Sequence, residues 1–320
     1  MQPVGSPEDG PSTPLGVSVA NTAASEQSAA AALTGMPAPA VRQLGPALRT
    51  ARKYPWITLF SAMLALLLLI ALFAPFLAPY SETKTHPAQA LQSPSAAHWL
   101  GTDELGRDSL SRVIYGVRVS LQVAVIAVAI GSVIGIGLGL IAGYSGGAVD
   151  QALSRYVDAQ LAFPPLLLAL TISDALGPSL AHAMLAVGLI AVPRYMRFAR
   201  GQVLQAREFD YVLAARSTGA GHLRILLRHV LPNVAGPLII VGSLSAGGAI
   251  LAEASLSFLG IGAQPPTPDL GSMLNTAKDY LQNQAWLAVG PGFAIFLIVW
   301  SFANLGDALH DVLDPRLRER

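Results

Sequence analysis

The chain contains no cysteine among its 320 residues, and charged residues make up only 12% of it. The absence of cysteine excludes disulfides, iron–sulfur clusters and thiolate zinc sites. A soluble domain has about 25% charged residues, so this chain has too few charges for an ordinary water-facing surface. A formal net charge of +1 offers no broad basic surface to nucleic acid, which we do not expect as a partner. Hydrophobic residues make up 52%, and the chain is therefore interpreted as an all-α integral membrane protein.

Common catalytic motifs are also missing. Of the three lysines, only Lys84 precedes Ser or Thr, and no glycine stands shortly before it, which excludes a phosphate-binding P-loop. None of the six histidines lies in a His-Glu-x-x-His pattern. The segment Gly143-Tyr-Ser-Gly-Gly147 matches the nucleophile elbow of hydrolases, but that motif works only between a strand and a helix. We expect no catalytic residue, metal or cofactor in this chain, and a membrane hydrolase that uses Ser145 is kept as an alternative.

Six apolar runs are each close to the ~20 residues that a helix needs to cross ~30 Å of hydrocarbon. They lie at about 56–78, 119–143, 159–177, 180–198, 234–260 and 286–306. Prolines interrupt the third and fourth runs, which a membrane helix tolerates when its neighbours satisfy the freed carbonyls. The sequence therefore predicts six transmembrane helices.

Basic residues indicate the orientation. If the N-terminus is cytoplasmic, 15 of the 20 Lys and Arg residues fall on the cytoplasmic side, where such residues are enriched in membrane proteins. Both termini are then expected in the cytoplasm. Residues 1–45 are rich in Ala, Pro and Ser and are predicted to form a disordered cytoplasmic tail, and residues 308–320 a second, short one.

Between these tails we distinguish two segments. Residues 46–116 are predicted to hold the first transmembrane helix and an external amphipathic stretch. In that stretch an apolar stripe at helical spacing predicts a helix that lies along the outer membrane interface. The stripe consists of Leu110, Val113, Ile114 and Val117. Residues 117–307 are predicted to hold the other five helices and a long cytoplasmic loop at about 199–232.

Two features within the predicted spans indicate packing or a cavity. Five glycines recur at every fourth position and predict a smooth helix face for close packing: Gly131, Gly135, Gly139, Gly143 and Gly147. Glu253 lies inside the fifth span, where an ionisable group is costly and often functional. We expect Glu253 to face a cavity, with Ser255 as a second cavity residue, or to hydrogen-bond serine residues between helices, and contact with substrate is an alternative. A further alternative is that Glu253 relays protons in a secondary transporter.

The long loop contains a pattern typical of a short helix. Tyr211, Ala214, Ala215 and Thr218 share one helical face of mostly small residues, and Gly219 follows where a helix commonly ends. With Leu231-Pro232 downstream, this segment resembles the EAA loop of importer-type ABC transporter permeases. In that family the loop forms a short coupling helix that docks in a groove on an ATPase subunit.

The resemblance rests on matches at defined positions. Ala214, Ala215, Gly219, Leu231 and Pro232 match the family pattern, whereas Leu213 stands where the family often has Glu. The implied ATPase-coupling residues are Tyr211, Leu213, Ala214, Ala215, Arg216, Gly219, Leu231 and Pro232.

Further runs narrow the resemblance to the second, C-type permease subunit of the dipeptide/oligopeptide/nickel importers. They are Leu100-Gly-Thr-Asp-Glu-Leu-Gly-Arg-Asp-Ser-Leu-Ser-Arg112, Ala142-Gly-Tyr-Ser-Gly-Gly147, Leu161-Ala-Phe-Pro164, Ser255-Leu-Ser-Phe-Leu-Gly-Ile-Gly262, Gln264-Pro-Pro-Thr-Pro268 and Asp314-Pro-Arg-Leu-Arg318. The similarity extends from about residue 45 to the C-terminus.

The resemblance implies a type I ABC importer permease fold in the inner membrane of a prokaryote. The implied partners are a second homologous permease in a heterodimer, two ATPase subunits that bind ATP and Mg²⁺, an extracytoplasmic substrate-binding protein and membrane lipid. The implied cargo is di- or oligopeptides, with nickel or glutathione import by the same family as an alternative. A proton-coupled secondary transporter is the alternative from a different class.

Overall fold

The computed structural model describes the backbone of residues 55–313 and the surroundings of side chains 56–308. Every regular element in this range is a helix, and the one strand-like pairing there is an isolated antiparallel bridge between Thr102 and Asp108. The all-α prediction is therefore confirmed for the described part of the chain. The predicted N-terminal tail at 1–45 lies outside the described residues, as do residues 314–320 of the predicted C-terminal tail.

Most of the helices follow one another with short connections, whereas the stretch between Leu77 and Ser109 is long and contains one 3-10 turn, Pro87–Gln89. In the first half they are α1 (Pro55–Leu72), α2 (Ala74–Leu77), α3 (Ser109–Ser145), α4 (Gly147–Leu161) and α5 (Pro165–Leu176). In the second half they are α6 (Leu180–Ala206), α7 (Asp210–Ser217), α8 (His222–Ile225), α9 (Leu231–Phe258), α10 (Leu270–Lys278) and α11 (Trp286–Leu313). A π-helical stretch, Leu226–Val230, joins α8 to α9 without a break.

Three of the described helices are long and apolar enough to cross a membrane. They are α3, the continuous helix His222–Phe258, and α11 over Trp286–Ala308. The number rises to four if α4 and α5, which meet at 89°, together form one broken span. The apolar helix α1 is shorter, and Trp56 and Leu72 expose more than two thirds of their surface, as expected of side chains that face lipid. Six spans thus remain a prediction.

The predicted third span at 159–177 is not one continuous helix, because it crosses the bend between α4 and α5. Pro165 opens α5, and Pro164 before it has φ −56° and ψ 126°, outside the helical region. A residue that precedes proline avoids the helical conformation, so the two consecutive prolines end α4. With 12 residues, α5 is only about 18 Å long and cannot cross a bilayer alone.

The predicted external interfacial helix is also corrected, because Leu110–Val117 forms the first turns of α3. Asp108 caps this helix by accepting a hydrogen bond from the backbone N–H of Ser111 at 2.8 Å. Val113 and Val117 are buried against α9, α10 and α11. The apolar stripe therefore covers the protein's own core and is not free to lie on lipid. The segment boundary expected at 116 falls inside α3.

The fifth predicted span begins earlier than expected, so the loop between long helices shortens to 207–221. Pro232 has no N–H to donate, and Leu231 donates instead to the carbonyl of Leu226, five residues back. This wider π turn lets the helix continue past the proline. At the other terminus, α11 continues to Leu313, so the predicted C-terminal tail begins as helix.

Two buried clusters mark the two ends of α3, which at 37 residues is about 55 Å long. The cluster near its start joins α1, α3, α9, α10 and α11 and includes Leu67, Val117, Ile250, Leu270 and Ile298. The cluster near its end joins α3 to α6, α7 and the start of the 222–258 helix and includes Leu140, Val203, Val212, Val230 and Val234. We call these regions the α3-start end and the α7 end.

Candidate functional site

The short helix α7 is attached to the bundle by two side chains. Val212 is fully buried and Ala215 nearly so, and both belong to the cluster at the α7 end. They lie three positions apart and therefore share one face of the helix. Most of the remaining α7 side chains are exposed. The helix is thus held on one side and offers the other side to a partner.

A glycine turn ends α7. The backbone N–H of Ala220 donates to the carbonyl of Ala215 at 3.1 Å, and that of Gly219 donates to Arg216 at 2.9 Å. This pair of bonds is the Schellman arrangement, which needs a left-handed residue, and Gly219 has φ +77°. Gly219 therefore occupies the helix-terminating position that the sequence predicted, and turns the chain toward α8.

The predicted small-residue face of α7 opens onto a groove. Its lining consists of Tyr211, Ala214, Ala215, Thr218, Ala220, Arg224, Arg228 and His229. The floor is made of alanine side chains, which let a partner approach the backbone closely. Two arginines stand on the far wall, and none of these lining residues is acidic. The groove suits a small or apolar protrusion flanked by negative charge.

The other α7 residues predicted to couple lie outside this groove. Leu213 exposes 47% of its surface and does not line it. The guanidinium carbon of Arg216 lies 5.3 Å from the centroid of the Tyr144 ring, a cation–π contact that ties α7 to the last turn of α3. The Tyr144 hydroxyl in turn lies 3.1 Å from Nδ1 of His222.

The structure does not bring Leu231 and Pro232 to the groove. Leu231 packs at the edge of the cluster at the α7 end, and both residues lie at the start of α9. Sequence reasoning instead missed Arg224, Arg228 and His229 on the opposite wall. The available signal was the four-residue spacing of the two arginines, which places them on one face of a helix.

Two arginines connect the helices next to α7. The guanidinium of Arg200 on α6 donates two hydrogen bonds to the carboxylate of Asp150 on α4. One of them, from Nη2 to Oδ2, is 2.6 Å long. Nη1 of Arg207 donates to the carbonyl of Gly143 at 3.2 Å. These contacts join α3, α4 and α6 beneath the loop from which α7 projects.

The glycine stripe of α3 lies against α6. A Cβ atom added to Gly135 would meet Cβ of Tyr195 at 2.6 Å and the carbonyl of Val192 at 2.7 Å. Gly131, Gly139 and Gly143 face α6 in the same way, with the nearest α6 atoms 2.6–2.9 Å from the added Cβ. Gly147 is not part of this contact, because it lies beyond the end of α3 with open space around it. Ser145 ends α3 between two helices, so the nucleophile elbow lacks its strand.

Glu253 and Ser255 do not face a common cavity. Glu253 is fully buried, and its Oε1 accepts a hydrogen bond from Ser257 at 2.7 Å. Ser255 is half-buried on another face, beside Leu251 and Phe258, and its hydroxyl donates to the carbonyl of Leu251 at 2.7 Å. Within this chain, Ser255 lines a cavity and Glu253 instead hydrogen-bonds a serine inside the packed helices.

The α3-start end contains a buried ionic cluster that sequence reasoning did not assign. Nε of Arg107 lies 2.6 Å from Oδ2 of Asp103, and Nε of Arg112 lies 3.4 Å from the same oxygen. Nδ1 of His98 lies 2.8 Å from Oδ1 of Asp108. Asp103 and the two arginines also line a small cavity of about 130 Å³ against α10. The cluster fixes the loop at 98–108 onto the first turn of α3.

Comparison with known proteins identifies the family. Residues 135–319 match the family described as the binding-protein-dependent transport system inner membrane component. This match spans more than half of the chain. The chain belongs to this family. Residues 46–94 also match the N-terminal transmembrane domain of oligopeptide transport permease C.

Curated relatives in this family are similar over most of their length. The dipeptide transport system permease protein of Alkalihalophilus pseudofirmus is 45% identical over 251 residues, which is 78% of this chain and 83% of the relative. The dipeptide permease protein of Haemophilus influenzae is 42% identical over 78% of this chain and 87% of its own. The glutathione transport system permease protein of Pectobacterium atrosepticum is 42% identical over 79% of this chain and 84% of the relative.

Proposed function

We propose that this chain is the permease subunit of an ABC importer that moves di- or oligopeptides across the cytoplasmic membrane. The observation that carries the proposal is the 45% identity, over 78% of the chain, to a dipeptide transport system permease protein. Glutathione is a second candidate cargo, because a relative named for glutathione transport is 42% identical over a similar share. The peptides that the cognate binding protein retains would distinguish the two cargoes.

The proposed assembly has six membrane spans per permease, in the type I importer arrangement. A second homologous permease completes a heterodimer, two ATPases lie in the cytoplasm, and a binding protein delivers cargo from outside. The distribution of Lys and Arg supports an orientation with both termini and the α7 end in the cytoplasm. ATP and Mg²⁺ would then bind to the partner ATPases, since no lysine of this chain lies in a P-loop pattern.

In the proposed mechanism α7 is the coupling helix. Closure of the ATPase pair on ATP moves α7, and the buried Val212 and Ala215 pass that movement to α6 and the 222–258 helix. The Arg216–Tyr144 contact extends the connection to the end of α3. Nucleotide shifts the bundle between inward- and outward-facing states only if it binds one state better, and α7 is the place where that preference enters.

Substitution in the groove tests this mechanism. In vesicles that contain the whole transporter, Ala214→Trp should abolish ATP-driven uptake, because the indole fills the groove while the residue is exposed and leaves the core intact. Ser217→Trp is the matched control, since Ser217 is exposed on α7 but lies outside the groove. Uptake at the native rate by Ala214→Trp, or uptake that collapses with a protonophore while ATP is maintained, would contradict the proposal.

A further inference from the structure

Glu253 near the end of α9 and Asp269 at the start of α10 form a buried carboxyl pair. Both side chains are fully buried. Their segments are in direct contact, since a Cβ atom on Gly271, two residues after Asp269, would lie 2.3 Å from the carbonyl oxygen of Ala254, the neighbour of Glu253. Among the described residues, no basic side chain forms an ion pair with either carboxyl group. Two carboxyl groups are therefore buried side by side in adjoining segments, away from water and without a basic partner among the described residues.

The remaining contacts of the pair show which oxygens are free. Oε1 of Glu253 accepts from Ser257, whose hydroxyl accepts in turn from the backbone N–H of Ala263 at 3.2 Å. Oδ1 of Asp269 accepts from the N–H of Ser272 at 2.8 Å and so caps α10. Oε2 of Glu253 and Oδ2 of Asp269 are both buried without a hydrogen-bond donor.

Two ionised carboxylates in this position would be costly. An isolated buried charge loses its hydration, and two like charges side by side repel each other. One proton between the free oxygens removes the repulsion and the cost of one of the two buried charges, because it neutralises one group, and it gives each oxygen a partner. The cap on α10 favours negative charge on Asp269, since helix N-termini stabilise anions.

We propose that Glu253 and Asp269 hold one proton, which stays on Glu253 and is donated from its Oε2 to Oδ2 of Asp269. Both side chains are fully buried, so the proton has no direct access to solvent and serves as a structural link rather than as a relay.

This link joins three segments of the chain. Through Ser257 and Ala263 it holds the connection that follows α9, and through Asp269 it holds the first turn of α10. A Cβ atom on Gly271 would lie 2.3 Å from the carbonyl of Ala254, so α10 rests directly on the backbone of α9. The shared proton thereby positions α10, which forms one wall of the cavity beside Asp103.

Infrared spectroscopy of the assembled transporter tests the proposal. At neutral pH the native protein should show the carbonyl stretch of a protonated carboxylic acid, and Glu253→Gln should lose the intensity of one such group per chain. Glu104→Gln is the matched control and should lose none, because that partly buried carboxylate pairs with Arg107 at 3.1 Å. An acid band of unchanged intensity in Glu253→Gln overturns the proposal.

A second variant keeps the proposal testable even if Glu253→Gln does not fold. Ser257→Ala removes one hydrogen bond to the acid carbonyl, so the same band should remain and move to higher frequency. An unmoved band contradicts the assignment to Glu253. A third outcome also overturns the proposal: if a metal cation occupies the site, the native protein lacks the band, and its melting temperature rises with added Na⁺ or K⁺.

Discussion

The two ends of α3 are stabilised in different ways. At the α3-start end, charged groups are buried and paired within the chain, with Asp103 between Arg107 and Arg112. At the α7 end, the charged groups of the groove, such as Arg224, are exposed, and α7 itself is held mainly by Val212 and Ala215. The charges at the α3-start end are thus paired within the chain, whereas the α7 end exposes small residues and positive charge.

This difference indicates which end suits the proposed contact with a partner. A buried ionic cluster is costly to disrupt, because removal of any member leaves a charge without compensation. A helix attached by two apolar side chains can be pushed or pulled as a unit and still transmit movement to the helices beneath it. The proposed coupling function therefore belongs to the α7 end.

The largest expected effect comes from the ionic cluster. Asp103→Ala leaves Arg107 and Arg112 buried without their shared carboxylate and should lower the free energy of unfolding by about 3–5 kcal/mol. Unfolding in detergent, followed by helical circular dichroism, measures this loss. Asp158→Ala, which removes an ion pair whose side chains are half-exposed, should cost less than about 1 kcal/mol. Equal losses in the two variants would remove the contrast between buried and exposed pairs.

The next effect concerns the α3–α6 contact that connects both ends. Gly135→Leu drives a side chain into the α6 backbone and should cost about 3 kcal/mol by overpacking. Gly137→Leu is the control, because a Cβ atom there meets nothing within 4 Å, and its unfolding should match the native protein. If both variants melt at the native temperature, the stripe is not a packing surface.

A smaller effect on stability is expected at the α7 end. Arg216→Ala removes the cation–π contact with Tyr144 and should cost only about 0.5–1 kcal/mol. Uptake should fall by a larger factor than this cost implies, since the link from α7 to α3 is lost. Arg216→Lys keeps a cation above the ring and should restore most of the uptake. Uptake that follows stability alone would contradict a coupling role.

Hydropathy and periodicity predicted the helical fold, but some boundaries depended on tertiary contacts. An apolar stripe looks the same whether it covers lipid or protein, so the sequence predicts an interfacial helix where the structure has the start of α3. The prolines at 164 and 165 indicated where the helix is interrupted, but not the 89° angle between α4 and α5.

Only one side of the candidate groove could be predicted from the sequence, because the other side depends on tertiary structure. The α7 face at Tyr211, Ala214 and Thr218 follows from helical spacing. The opposite wall at Arg224 and Arg228 does not, because it comes from a helix across a turn whose direction depends on the φ of Gly219. Spacing also could not tell that Ala215 faces inward, so a bulky residue there tests folding as well as docking.

The most direct test of the central claim uses the absence of cysteine, because a single-cysteine variant then has only one site at which maleimide can label this chain. Ala214→Cys and Leu105→Cys place one exposed thiol at the α7 end and one at the α3-start end. The rate of maleimide labelling is measured for the permease pair with and without its ATPases. We predict that the ATPases protect the thiol at position 214 and leave that at position 105 reactive. Equal labelling of position 214 in both samples would contradict an ATPase-docking role for α7.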